Sequence, residues 1–349
     1  MITQKRCGKK GFAIQFNWLF VLLGGVVIVG FFFAIINNIT AGEEREGAQK
    51  TTQELNDLLK ASLASRDTQK IVFFDKKISF SCDGEVSNYH IKGGYQRVRY
   101  DFNVIFSPGT LEGRELIVQT SIFEVPFKSQ PLVYVNNKDI EYVIVGSTPI
   151  LTIVNNLLPE NVTKINIPGA SIAGYPNNNY AHTVFILTDK NFLATLSDFN
   201  SPNNKAYAIV INQAGGVSLE YGNVTFYYHD SSSGFVEDGT VSFLELETMI
   251  GAVISHNKTL YECNFKKVLE RVELLSQLHS QRMINYTNLA SPLCTDYYTV
   301  AKNHLDDIYT YASSDPLTPS ELGSLAAAIN ALKSLNSYIL VKTECPLIY

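Results

Sequence analysis

Residues 12–36 read FAIQFNWLFVLLGGVVIVGFFFAII, and the reading of this stretch decides how the rest of the chain is read. From Trp18 to Ile36 no side chain is charged or a strong hydrogen-bonding group. These nineteen residues, at ~1.5 Å rise each, span ~28 Å, the thickness of a bilayer core, so a transmembrane helix is predicted over 12–36. Its direction is predicted from the flanks, because short segments rich in Lys and Arg stay on the cytoplasmic side. Lys5, Arg6, Lys9 and Lys10 precede the run, and Glu43, Glu44 and Glu46 around Arg45 follow it. The expected localisation is a single pass through the cell membrane, with a cytoplasmic N-terminus and residues 37–349 extracytoplasmic. The lipid bilayer is thus the first expected partner.

A cleaved secretory signal predicts a shorter apolar core and a small-x-small cleavage site. Ile35-Ile36-Asn37-Asn38 offers none, and Cys7 precedes the apolar run, which argues against a lipoprotein. Hydrophobic residues make up 46% of the chain and charged residues 17%, so there is apolar surface for a sizeable core and too little charge for disorder. A net charge of -5 with no basic cluster beyond the N-terminal tail sets nucleic acid aside as a partner.

Working outward, 1–11 is a basic tail and 37–70 an amphipathic stalk, with Leu55, Leu58, Leu59 and Leu63 at helical spacing and Gly42 and Gly47 arguing against one continuous helix. Residues 71–145 form short runs rich in Val, Ile, Phe and Tyr between turns such as Ser107-Pro108-Gly109, which predicts mostly antiparallel sheet. Over 146–260 helical and strand periods alternate. The wholly apolar runs at 183–187 and 207–211 suit strands covered on both faces, hence an α/β unit. Residues 261–349 read as three helices, Asn264 to Leu289, Pro292 to Tyr311 and Pro319 to Lys342, the last opened by the capping box Thr318-Pro319-Ser320-Glu321. The expected fold class is therefore an α+β ectodomain on one N-terminal transmembrane helix, ending in a three-helix bundle.

Few residues suggest chemistry. His182, Asp189 and the pair His229-Asp230 are the titratable side chains placed at strand ends of the α/β unit, but no metal-ligand, nucleophile-elbow or phosphate-loop spacing accompanies them. Gly215-Gly216 reads as a hairpin turn rather than a phosphate cradle. Thr188-Asp189 resembles the Thr-Asp step of von Willebrand A-type domains. That family's Asp-x-Ser-x-Ser comes earlier in its chain, whereas here Asp230 to Gly234 comes later and ends in Gly. No cofactor and no metal are expected.

Cys82, Cys263, Cys294 and Cys345 leave three possible connectivities outside the membrane. A continuous helix from 264 to 289 holds Cys263 and Cys294 roughly 40 Å apart, against a limit near ~7 Å for a disulfide. The two following helices, joined by a short turn, run antiparallel and bring Cys294 to Cys345, so Cys82 pairs with Cys263. Asn38, Asn161, Asn223, Asn257 and Asn285 each begin N-x-T, the acceptor pattern for glycosylation of an exported domain.

Lys9-Lys10-Gly11-Phe12-Ala13 resembles the class III signal of type IV pilins, a basic residue and Gly just before an apolar helix. The resemblance covers about thirty residues and implies cleavage after Gly11 and a helix that anchors the subunit or packs into a filament core. It departs from the family at the fifth mature position, where many pilins carry Glu and this chain has Phe16. The expected function is a non-catalytic, membrane-anchored surface protein that binds an extracellular protein or assembles with itself. The alternative is a membrane-tethered hydrolase, which requires Asp189, His182 and His229 to meet in a cleft.

Overall fold

The computed structural model describes residues 11–63, 67–74, 76–83, 86–92, 97–100, 104–176, 180–196, 205–214, 220–289, 292–315 and 317–349. In the N-terminal helix, side chains are described at 22–23, 25–31 and 33 and from 47 onward. The basic tail with Cys7, the acidic side chains at 43, 44 and 46, the side chains of Phe16 and Asn38, and the Gly215-Gly216 turn lie outside the described residues.

Helix α1 runs Gly11–Leu63, 53 residues without interruption. Gly42 and Gly47 do not break it. A glycine inside a helix costs about 1 kcal/mol relative to alanine, less than the ~2 kcal/mol gained by burying a single leucine side chain. The C-terminal third of α1 buries several such groups: Ala48, Leu55 and Leu59 are all but inaccessible, and Leu58 and Leu63 pack at their margin. The predicted amphipathic segment is thus helical as far as Leu63 and packed into the fold from Ala48 onward, while its last residues, Gln69 and Lys70, open β1.

The transmembrane expectation is corrected. Among the described residues no helix is long and apolar enough to cross a membrane. Among the described residues the fold class therefore includes no spanning helix. The single-pass localisation, with its cytoplasmic N-terminus and extracytoplasmic remainder, has no structural support.

The strands that follow are β1 (Gln69–Phe73), β2 (Ile78–Asp83), β3 (Val86–Ile91), β4 (Arg97–Arg99), β5 (Val104–Phe106), β6 (Thr110–Leu111), β7 (Glu115–Glu124), β8 (Lys128–Asn137) and β9 (Ile140–Val145). They divide between sheets. One has the order β1-β7-β8-β5, antiparallel except where β5 runs parallel to β8; a second, wholly antiparallel, has the order β4-β3-β2-β6. β4 and β5, close in sequence, lie in different sheets, because alternation along a strand sets its faces and not its partner.

A third sheet collects β9 with the next part of the chain: α2 (Pro149–Leu157), β10 (Thr163–Ile167), β11 (His182–Leu187), β12 (Lys205–Gln213), β13 (Tyr221–Asp230) and β14 (Gly234–Leu244). Its order is β10-β9-β11-β12-β13-β14, parallel through β12 and antiparallel beyond. β11 is buried along its whole length, as its apolar run implies. Its two faces feed different cores. Val184 and Ile186 join the main cluster, which extends from Ala48 to Ile348, while Phe185 and Leu187 join a smaller one under two 3-10 turns at Gly169–Gly174 and Lys190–Leu196.

Helices α3 (Glu245–Ser255), α4 (Lys258–Leu289), α5 (Pro292–Ala312) and α6 (Pro319–Lys342) complete the chain. α4 begins six residues before its expected start because Asn257 caps it, its Oδ1 accepting from the Leu260 N–H at 2.9 Å. α6 begins where its capping box predicts: Thr318 Oγ1 accepts from the Glu321 N–H at 3.3 Å, and the Thr318 N–H donates to the Glu321 carboxylate at 2.9 Å.

Candidate functional site

The most unusual surface lies on α1. Leu22, Leu23, Val26, Val27, Ile28, Val29, Phe31 and Phe33 are each between 54% and 66% exposed. Successive helical residues turn by 100°, so 26 to 29 alone point to every side of the rod. The helix is apolar all round here, whereas a helix packed on one face shows a stripe. Contiguous apolar surface of this kind marks an interaction site.

The sheet holds a second cluster. β11 begins with His182, whose Nδ1 lies 3.0 Å from Nε2 of His256. His256 sits in the left-handed C-cap of α3, at φ 35°, and its ring is 4.5 Å from that of Tyr207 on β12. Both imidazoles are buried. Burial above all, with the Lys205 and Lys77 charges added, pushes His182 down to about 4. Burial and the neighbouring His182 hold His256 well below the ordinary histidine range. The pair is neutral at pH 7, one ring donating to the other, and it ties the start of the interior strand β11 to the α3–α4 junction. No sequence signal links two residues 74 positions apart, so the role of His256 is visible only in the fold.

The residues required for a hydrolase do not meet. Asp189 lies past the far end of β11 from His182, about 20 Å along the strand, and its Oδ1 accepts from the Asn191 N–H at 2.9 Å, closing a turn. His229 meets Phe235 edge to face at 5.1 Å, and Phe235 meets Phe185, so His229 belongs to the face of the sheet opposite His182. Asp230 to Gly234 is the turn of the β13–β14 hairpin, where Asp230 Oδ1 accepts from the Ser232 and Ser233 N–H groups at 2.8 and 3.1 Å. Hydrogen bonds from Ser232 hold the Asp230 carboxyl below its usual range. Among the described residues no group of three His, Cys, Asp or Glu is placed to hold a metal ion.

The cysteine pairing follows the helix geometry. Cys82–Cys263 and Cys294–Cys345 are bonded, with α-carbons 6.4 and 5.8 Å apart. Beside the first bridge the buried Lys267 ammonium donates to Ser87 Oγ at 2.7 Å and to the Tyr100 carbonyl at 3.1 Å, joining α4 to β3 and the end of β4. Of the N-x-T asparagines, Asn161 and Asn285 are exposed. Asn223 is half-buried with its Oδ1 accepting from Ser242 at 3.1 Å, and Asn257 is the α4 cap. No family profile matches the chain, and neither the curated proteins nor the solved structures contain a match.

Proposed function

We propose that this chain is a non-catalytic assembly subunit, and that α1 is the element through which copies join. The observation carrying this reading is the all-round apolar surface between Leu22 and Phe33, on a helix whose other end is fixed in the core by Ala48, Leu55 and Leu59. A rod apolar on every side gains most when other rods surround it. At about 25 cal/mol per Å2, each exposed valine, leucine or phenylalanine covered on assembly contributes roughly 1 kcal/mol or more. The resemblance of Lys9 to Ala13 to a pilin signal points the same way, since it implies a helix that packs into a filament core. The scatter of His182, Asp189 and His229 supports a role without catalysis.

Two measurements test the reading. The full chain should sediment as a large, concentration-dependent species, and Val27→Lys with Phe31→Lys should return it to a monomer while the far-UV spectrum stays unchanged; a wild-type monomer at tens of micromolar refutes self-assembly. Intact-mass analysis of the protein from its own cells should find a mature N-terminus at Phe12. An uncleaved N-terminus refutes the pilin-like form of the proposal.

A further inference from the structure

A cavity of about 430 Å3 opens where the β13–β14 arm meets α4 and the turn between α5 and α6. That volume lies within the usual range for small-molecule sites, roughly 300–1,000 Å3. Its floor is apolar, built from Phe265 and Leu269 one turn apart on α4, Ala312 at the end of α5, and Val241 and Leu317. Its hydroxyls are already engaged within the protein. Thr240 Oγ1 is 2.9 Å from Thr225 Oγ1, and Ser242 Oγ donates to Asn223 Oδ1 at 3.1 Å. Recognition of a ligand therefore turns on the charges of the wall.

Those charges are unbalanced. Glu262, Glu270 and Glu273 line one side from α4 and Asp315 the other, against a single lining cation, Lys266. Lys266 Nζ lies 2.7 Å from Asp315 Oδ2 across the mouth, and Lys258 approaches Glu262 from outside the cavity at 3.7 Å. Four carboxylates and one ammonium give the lining a net charge of -3. An apolar floor under a negative wall complements one chemistry: a compact apolar body carrying a cationic head. An anionic ligand meets like charge, and a neutral polar one can donate to the carboxylates but gains no charge attraction.

We infer that this cavity binds a small organic ammonium with an apolar body, its tail on Phe265 and Leu269 and its head among Glu262, Glu273 and Asp315, where it competes with Lys266. No residue of α1 lines the cavity, so the inference stands apart from the assembly reading.

Calorimetric titration of the folded full chain with hexylammonium, 1-hexanol and hexanoate, at neutral pH and low salt, tests it without altering the protein. Hexylammonium should bind at least about tenfold more tightly than either analogue, and more weakly as salt is raised. The exposed-rim double variant Glu262→Gln, Glu273→Gln should weaken hexylammonium about five- to tenfold and leave hexanol unchanged. Equal binding of hexanoate, no binding at millimolar concentration, or an amine affinity unchanged in the double variant, which locates it on other apolar surface such as α1, each overturns the inference.

Discussion

His182 Nδ1 and His256 Nε2 meet at 3.0 Å inside the protein, with Tyr207 closing the cluster. Only one proton can lie between the two nitrogens, and charging either ring places a cation in a site shielded from water. The folded His182 titrates near 4 where the unfolded side chain titrates near 6.5. The unfolded chain therefore takes up protons first as pH falls. This stabilisation is complete above pH 6.5 and is lost progressively between 6.5 and about 4. For His182 alone the loss amounts to about 3 kcal/mol. Denaturant unfolding at steps across that window should show it, with a smaller slope in His182→Gln, and a flat profile contradicts the neutral pair.

Reducing the two disulfides should have unequal effects. The Cys82–Cys263 bridge closes a loop with a sequence separation of 181, and Cys294–Cys345 one of 51. The chain-entropy model assigns ~5 and ~4 kcal/mol respectively as upper figures. Paired Cys→Ser variants should reproduce that order in their denaturation midpoints. Non-reducing peptide maps should contain both cross-links, and a Cys263 to Cys294 peptide contradicts the fold of α4.

Leu59→Ala should cost about 2–5 kcal/mol, as removal of a buried leucine from a packed site does. If the packed end of α1 were an independent stalk, the same change would leave the melting temperature of the rest of the chain where it was.

Three glycines separate crowding from freedom. A Cβ at Gly47 meets nothing within 4 Å, so Gly47→Ala should stabilise α1 by about 0.5–1 kcal/mol. At Gly222 the same atom would collide with the Asn212 carbonyl oxygen across the β12–β13 pair, and at Gly251 it would lie 2.7 Å from the Phe106 ring. Gly222→Ala and Gly251→Ala should each cost roughly 1–3 kcal/mol. Thermal melts of the three variants are enough to check the signs.

Much of this architecture is written locally. The box at Thr318 to Glu321, Pro292 at the start of α5 and the apolar runs of β11 and β12 place helix starts and buried strands within a few residues. Helix length excluded one of three disulfide connectivities, and the short turn that makes the last two helices antiparallel chose between the other two. What was not legible is long-range or depends on competing energies. Nothing near Ile140 tells β9 to lie between β10 and β11, and nothing near His256 announces His182. α1 continues through Gly42 and Gly47 because burial further along outweighs a local penalty. The apolar run at 12–36 reads as a membrane span by length and composition, and those properties alone do not say what surrounds a helix. The acid-walled cavity was invisible for a similar reason: Asn223, Glu262 and Asp315 come from three stretches that no sequence pattern relates.

The two covalent loops also set how the protein responds to being pulled. Tension entering along α1 and leaving through the C-terminal segment crosses from Cys82 to Cys263 and from Cys294 to Cys345, bypassing everything between the partners. At ~3.5 Å per extended residue the two loops withhold roughly 800 Å of contour from the stretched chain. If α1 joins copies end to end, each subunit is a short tether whose sheets can lose their order without the connection lengthening much, and a reducing agent would turn the same subunit into a long, compliant one.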